Sequence, residues 1–207
     1  MTLYSAGAPL KTARAAVVMV HGRGSNAEDI LGLAGEFGQH DLAYVAPQAP
    51  RNTWYPYSFL APFEQNEPYL TAGLEMLGDT VKELARAGFG PERVALIGFS
   101  QGGCLALEYV ARNPYLYGAV AGLSAGLIGP PGTPRQYQGT LAGAPVFLGC
   151  SDIDSHIPLE RVHETRDVLR ALGGRVTERI YPGFGHSVNE DEIAHVRDML
   201  AGVNAMA

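Results

Sequence analysis

Apolar runs of strand length that do not alternate with polar residues recur along this chain, and they leave few architectures open. The runs are Ala15–Val20, Ala43–Ala46, Val94–Gly98, Gly118–Leu123, Pro145–Gly149 and Val176–Tyr181. Rich in Val, Ile, Leu and Ala, they read as strands buried on both faces, the pattern of a parallel sheet covered by helices. Helical patterns lie between them. Leu70, Leu74, Leu77, Val81 and Leu84 mark one face of a long helix beginning near Glu67, and Ile193, Val196, Leu200 and Val203 mark the last helix. Asn189, with Glu192 three residues on, predicts the cap of that helix. The alternation predicts a single α/β domain over residues 1–207, with a doubly wound, mostly parallel sheet, helices on both faces and no large lid. In such sheets the site lies at the carboxyl ends of the strands.

Composition narrows the function classes. Lys and Arg number 15 against 21 Asp and Glu, a formal charge of −6. Lys11 and Lys82 are the only lysines and the arginines are scattered, so no basic patch suggests nucleic acid or anionic lipid. No apolar run approaches the roughly 20 residues of a membrane span. The first nine residues have neither a basic start nor an apolar core, so no signal peptide is expected and the cytoplasm is the default location. Cys104 and Cys150 are the only cysteines; both sit in apolar contexts and read as buried free thiols.

Chemistry concentrates at Gly98-Phe99-Ser100-Gln101-Gly102, a G-x-S-x-G sequence between the run Val94–Gly98 and a helix-like stretch from Cys104 to Val110. Strand, tight turn and helix are the context in which this motif presents a nucleophile. The turn strains the serine backbone and lifts its hydroxyl out of the sheet, while the helix N-terminus lies under developing negative charge. The bland alternative is an ordinary turn in a chain with 26 glycines.

A serine nucleophile needs a histidine base and a carboxylate to orient it, in the chain order Ser, Asp or Glu, His. Of the histidines after Ser100, His163 and His195 fall in helical patterns and are expected to face solvent. His186, in the loop Gly183-Phe184-Gly185-His186-Ser187 after the last strand, is the expected base. Asp152 and Asp154 both follow the strand Pro145–Gly149, and position alone separates them weakly; the other should cap a turn or the helix near Pro158. His156 beside them suggests a metal, but further ligands at suitable spacing are missing, so no metal or cofactor is expected. The oxyanion would be held by the backbone N–H groups of Gln101, which follows the nucleophile, and of Arg23, in the glycine-rich loop His21-Gly22-Arg23-Gly24. His21 reads as a group that fixes this loop. A phosphate-binding reading of the loop lacks the P-loop spacing and its Lys-Ser/Thr.

With these segments in hand, the chain resembles the phospholipase/carboxylesterase family of α/β-hydrolases, which includes bacterial carboxylesterases and acyl-protein thioesterases. The matching motifs are His21-Gly22-Arg23-Gly24, Gly98-Phe99-Ser100-Gln101-Gly102-Gly103, and Gly185-His186-Ser187 followed by Asn189-Glu190-Asp191-Glu192-Ile193. The resemblance runs from about Ala15 to Leu200. It implies the α/β-hydrolase fold and a Ser100–Asp154–His186 triad. Asp154-Ser155-His156-Ile157-Pro158 fits the family's Asp-x-x-Val-Pro pattern, with isoleucine for valine, and this raises Asp154 over Asp152. Two departures weigh against a palmitoyl-protein substrate. Arg23 stands where thioesterases usually carry an apolar residue, and Cys150-Ser151 stands where they usually carry His-Gly. Dienelactone hydrolases share the fold but attack with cysteine. Family likeness allows a homodimer, which nothing in the chain requires.

Trp54, Tyr55, Tyr57, Phe59, Phe63 and Tyr69, interleaved with Pro56, Pro62 and Pro68, form an aromatic segment expected to be neither helix nor strand. It could line an acyl or aryl pocket or only cover the sheet edge. Trp54 and Tyr55 are the leading pocket residues, since family members often carry Trp and an aromatic there; Leu127 and Ile128 are expected to form the opposite wall. The combined expectation is a serine carboxylesterase for small esters. The rivals are a lysophospholipase or thioesterase on longer acyl chains and a hydrolase-fold module that binds without turnover. A peptidase is disfavoured because no propeller or cap segment is present.

Overall fold

Runs that are apolar at every position must be covered on both sides, and the chain does this with one sheet between two helical layers. The computed structural model describes residues 2–203. In chain order the strands are β1 (Leu3–Gly7), β2 (Ala15–Val20), β3 (Leu42–Pro47), β4 (Val94–Phe99), β5 (Ala119–Leu123), β6 (Pro145–Ser151) and β7 (Arg175–Tyr181). The helices are α1 (Ala27–Leu31), α2 (Leu33–Phe37), α3 (Phe63–Asn66), α4 (Tyr69–Arg86), α5 (Ser100–Arg112), α6 (Leu159–Ala171) and α7 (Glu190–Gly202). The strands hydrogen-bond in the order β1-β3-β2-β4-β5-β6-β7. All neighbours are parallel except β1, which runs antiparallel to β3. This is an α/β-hydrolase sheet, and no closed barrel forms.

The period of two along each strand sorts the core. Ala16, Val18 and Val20 of β2 pack with Leu70 and Leu77 of α4, Leu105 of α5 and Val162 of α6. Their neighbours Ala15, Val17 and Met19 pack on the other face with Ile30, Phe37, Val196 and Leu200 from α1, α2 and α7. Helix α7 begins with the expected capping box: Glu192 N–H donates to Asn189 Oδ1, and Asn189 N–H donates to Glu192 Oε2.

Three elements depart from the reading of the sequence. Strand β1 has no apolar run to announce it, because its residues are only half-buried or exposed. Strand β7 does alternate: Arg175, Thr177 and Arg179 are exposed while Val176 is buried, as befits the outermost strand with one neighbour. Within the aromatic segment, Phe63–Asn66 closes one helical turn, and the long helix starts at Tyr69 rather than Glu67.

Candidate active site

The sharp bend between β4 and α5 presses backbone against backbone, which explains its glycines. A Cβ on Gly98 would lie 2.5 Å from the carbonyl oxygen of Gly102, and one on Gly102 would lie 2.3 Å from those of Val20 and His21. At the apex Ser100 holds φ 54°, a left-handed conformation that costs a serine of order 1 kcal/mol. That strain presents the side chain at the carboxyl end of the sheet, above the positive end of α5.

Two loops at the same end reach the hydroxyl. His186 Nε2 lies 2.8 Å from Ser100 Oγ, and His186 Nδ1 lies 2.8 Å from Asp154 Oδ2. A carboxylate only accepts, so Nδ1 carries the proton and Nε2 accepts from the serine hydroxyl. Phe99 and His156 pack against the His186 ring, with centroids 5.1 and 4.6 Å away, and limit its rotation. Asp154 Oδ1 accepts from the backbone N–H groups of His156 (2.8 Å) and Ile157 (3.0 Å). Burial opposes its charge, but the His186 hydrogen bond and these two amides outweigh it and hold the carboxyl below its ordinary range. The Cys150 thiol also points at Oδ2, at 3.7 Å, and burial beside that carboxylate pushes its pKa up to about 12. Cys150 and Cys104 are both buried and unpaired to each other.

Asp152 takes the turn-holding part: its Oδ1 accepts from Gly183 N–H at 2.7 Å. Ser151 Oγ accepts from Gly185 N–H at 3.0 Å, so the acid loop and the histidine loop are tied together twice. Arg23 and Gln101 line the same cleft of ≈ 520 Å³ as Ser100 and His186. The Gln101 amide belongs to the first turn of α5, where N–H groups lack intrahelical acceptors. His21 holds the neighbouring loop: it is fully buried, with Nδ1 2.8 Å from Gly22 O while Nε2 accepts from Ala49 N–H at 3.2 Å. Burial lowers its pKa, keeping it neutral for those two bonds.

Comparisons with known proteins identify the family and the fold. The family model described as Phospholipase/Carboxylesterase matches residues 5–204. The chain belongs to the phospholipase/carboxylesterase family. A solved phospholipase/carboxylesterase from Dyadobacter fermentans is 39% identical and superimposes with a TM-score of 0.93, covering 96% of this chain and 95% of that one. Acyl-protein thioesterase 1 of Saccharomyces cerevisiae is 26% identical over 90% of this chain and 91% of its own length. Acyl-protein thioesterase 1 of Gibberella zeae is 33% identical over 55% of this chain, and that match spans only about half, 49%, of its own length. The family description and these relatives' names are those of ester-hydrolysing enzymes, and the solved relative shares the fold.

Within this member of the phospholipase/carboxylesterase family, several expected site residues lie elsewhere. Leu127 and Ile128 do not wall the cleft. Both are wholly buried, their amides held by Thr165 Oγ1 and Glu108 Oε2 and their carbonyls by Arg161 and Arg135. The wall beyond the nucleophile comes from His156 and Ile157. Tyr55 does line the cleft, but Trp54 lines a separate cavity behind it. Nor are the helical histidines free in solvent: His163 pairs with Glu178 at 2.8 Å, and His195 stacks on Phe147 with centroids 4.3 Å apart.

Side chains that the sequence reading passed over build the support. Arg23 donates to Pro56 O (2.8 Å) and Tyr57 O (2.6 Å), strapping the aromatic segment over the cleft. The Gln101 side chain accepts from Trp54 N–H at 3.0 Å and donates to Tyr55 O at 2.7 Å. No local motif signals such contacts, because their partners stand far away in the chain.

Glu192 carries a pH prediction. It is buried, one carboxylate oxygen lacks a partner among the described residues, and burial raises its pKa from 4.5 to about 7. The native state therefore binds a proton that the unfolded chain releases between about pH 4.5 and 7. Stability falls with rising pH through that window, and the loss, about 3 kcal/mol, persists above it. Glu192→Gln keeps an acceptor for Asn189 N–H and cannot ionise. Urea unfolding at pH 5 and pH 8 should show the variant's lead over wild type growing with pH. An unchanged difference at the two pH values would refute the assignment.

Proposed function

We propose that this protein is a serine carboxylesterase that hydrolyses small carboxylic esters through an acyl-enzyme. The observation that carries the reading is the unbroken line Ser100 Oγ–His186–Asp154, 2.8 Å at each step, opening on a cleft bordered by Tyr55, Tyr57, Phe59 and Phe99. His186 takes the proton from Ser100 as Oγ attacks the ester carbonyl. Asp154 keeps the ring in the reactive tautomer and stabilises the imidazolium. The Arg23 and Gln101 backbone N–H groups donate hydrogen bonds to the developing oxyanion. His186 then protonates the departing alcohol, and water, activated by the same imidazole, releases the acid. Serine, imidazole and carboxylate suffice for every proton and bond in the sequence.

Hydrolysis of p-nitrophenyl esters from acetate to palmitate, with mass-spectrometric mapping of organophosphate labelling, tests the reading. Sustained turnover that is fastest on short chains, with the label on Ser100, is the expected result. Names of relatives favour a second reading, a thioesterase or lysophospholipase, and activity rising with chain length would select it. Labelling of Ser100 without turnover would replace both with a binding module.

A further inference from the structure

Behind the aromatic segment lies a second cavity, of ≈ 290 Å³, which contains none of Ser100, Asp154 or His186. Trp54, Tyr55 and Pro56 form one side, and Tyr69, Ala72 and Met76 of α4 form the other. Their spacing on α4 places them along one helical stripe. Gly73 between them packs closely on Leu105: a Cβ there would meet Leu105 Cδ2 at 3.3 Å and touch Trp54 Cε3 at an ordinary contact distance of 3.7 Å. The wall shared with the active-site cleft is firm, since Trp54 Nε1–H donates to His21 O at 2.8 Å and the Trp54 amide to Gln101 Oε1. The volume is near the low end for small-molecule sites, roughly 300–1,000 Å³.

One charged group borders this apolar space. Arg51 is exposed, lines the cavity and donates no side-chain hydrogen bond among the described residues. It also occupies a costly backbone conformation. Arg51 and Asn52 have φ 53° and 58°, two successive left-handed residues that are not glycine. Their surroundings enforce it: Asn52 O accepts from Gly24 N–H at 2.8 Å, and Asn52 Oδ1 accepts from Gln48 Nε2 at 3.0 Å. Strain that is over-determined by its neighbours marks functional positions more often than idle ones. Here it keeps an uncommitted guanidinium beside an apolar cavity.

We propose that this cavity is a second binding site, separate from the Ser100 cleft, for a carboxylate with a short apolar tail. The tail would fill the space between Trp54 and α4, and the carboxylate would pair with Arg51. Such a molecule belongs to the class of acid released by ester hydrolysis, and this last identification rests on the esterase reading. The binding itself does not.

Trp54 is the chain's only tryptophan, so its fluorescence reports on the cavity directly. The experiment titrates octanoate into the full-length protein before and after Ser100 is blocked with an organophosphate. The expected result is a saturable change that survives the block. Arg51→Asn removes the charge with a residue that tolerates the left-handed backbone, so it should fold normally and bind about tenfold more weakly. Arg51→Lys should retain most of the affinity. Ala72→Phe, which fills the space, should abolish the signal while organophosphate still labels Ser100. Octanol should bind more weakly than octanoate. No saturable change, loss of binding on blocking Ser100, or equal affinity in Arg51→Asn would overturn the proposal, and octanol matching octanoate would overturn the carboxylate. Failure of the label to reach Ser100 would count against the esterase reading and not against the cavity, since octanoate binding to the unlabelled protein and its Arg51 variants is still read.

Discussion

Ser100→Ala is expected to lower kcat on p-nitrophenyl butyrate by about a million-fold, to near background, with the fold intact. In the proposed mechanism the hydroxyl oxygen attacks, and no other hydroxyl among the described residues hydrogen-bonds His186 Nε2. His186→Ala should cost nearly as much, and the double variant little more than either alone, because the two groups act as one unit. The strain at φ 54° supplies an independent check. Ser100→Gly has no Cβ to crowd the left-handed backbone, so it should be as inactive as Ser100→Ala yet about 1 kcal/mol more stable in urea unfolding. Turnover within tenfold of wild type in Ser100→Ala would remove the proposed mechanism.

Asp154→Asn is expected to reduce kcat by about 10⁴-fold with KM almost unchanged. Asparagine Oδ1 can still accept from the His156 and Ile157 amides, so the loop should hold its shape. Its NH₂, however, now faces Nδ1 where a carboxylate oxygen stood 2.8 Å away. The ring must turn an acceptor toward the amide, which moves the proton to Nε2, and Nε2 can then no longer accept from Ser100. Asp152→Asn is the matched control. Its Oδ1 would still accept from Gly183 N–H, so kcat should stay within a few-fold of wild type. Equal losses at the two aspartates would mean that the acid loop as a whole, rather than Asp154 itself, supports catalysis.

The two aspartates also show where sequence reading stops. Both follow β6 by a few residues, and spacing could not rank them; the family pattern from Asp154 to Pro158 could. What separates them physically is the direction of each side chain. One meets an imidazole, and the other meets the amide of Gly183 on the loop that carries that imidazole. The aromatic segment repeats the lesson. Trp54 and Tyr55 are adjacent in the chain, yet Tyr55 borders both cavities and Trp54 only the second, because Trp54 is turned inward by its bonds to Gln101 and His21. Leu127 and Ile128 follow β5 as a wall residue should. The buried Arg161 and the half-buried Arg135 hold their carbonyls in the core instead.

Sequence alone determined the features that depend on short-range patterns: the doubly covered parallel strands, the serine bend with its obligatory glycines, the Asn189–Glu192 cap, and the histidine loop after the last strand. Each is encoded within a few residues, where apolar runs, backbone sterics and capping chemistry act directly. Tertiary structure alone decided the edge strand β1, the half-exposed edge position of β7, the inward turn of Trp54, and the Arg23 strap across the aromatic segment. It also decided the partition of that segment between two cavities. These depend on contacts between residues distant in the chain, such as Arg23 with Pro56 and Gln101 with Trp54. Their free energy exists only after the sheet has brought the partners together.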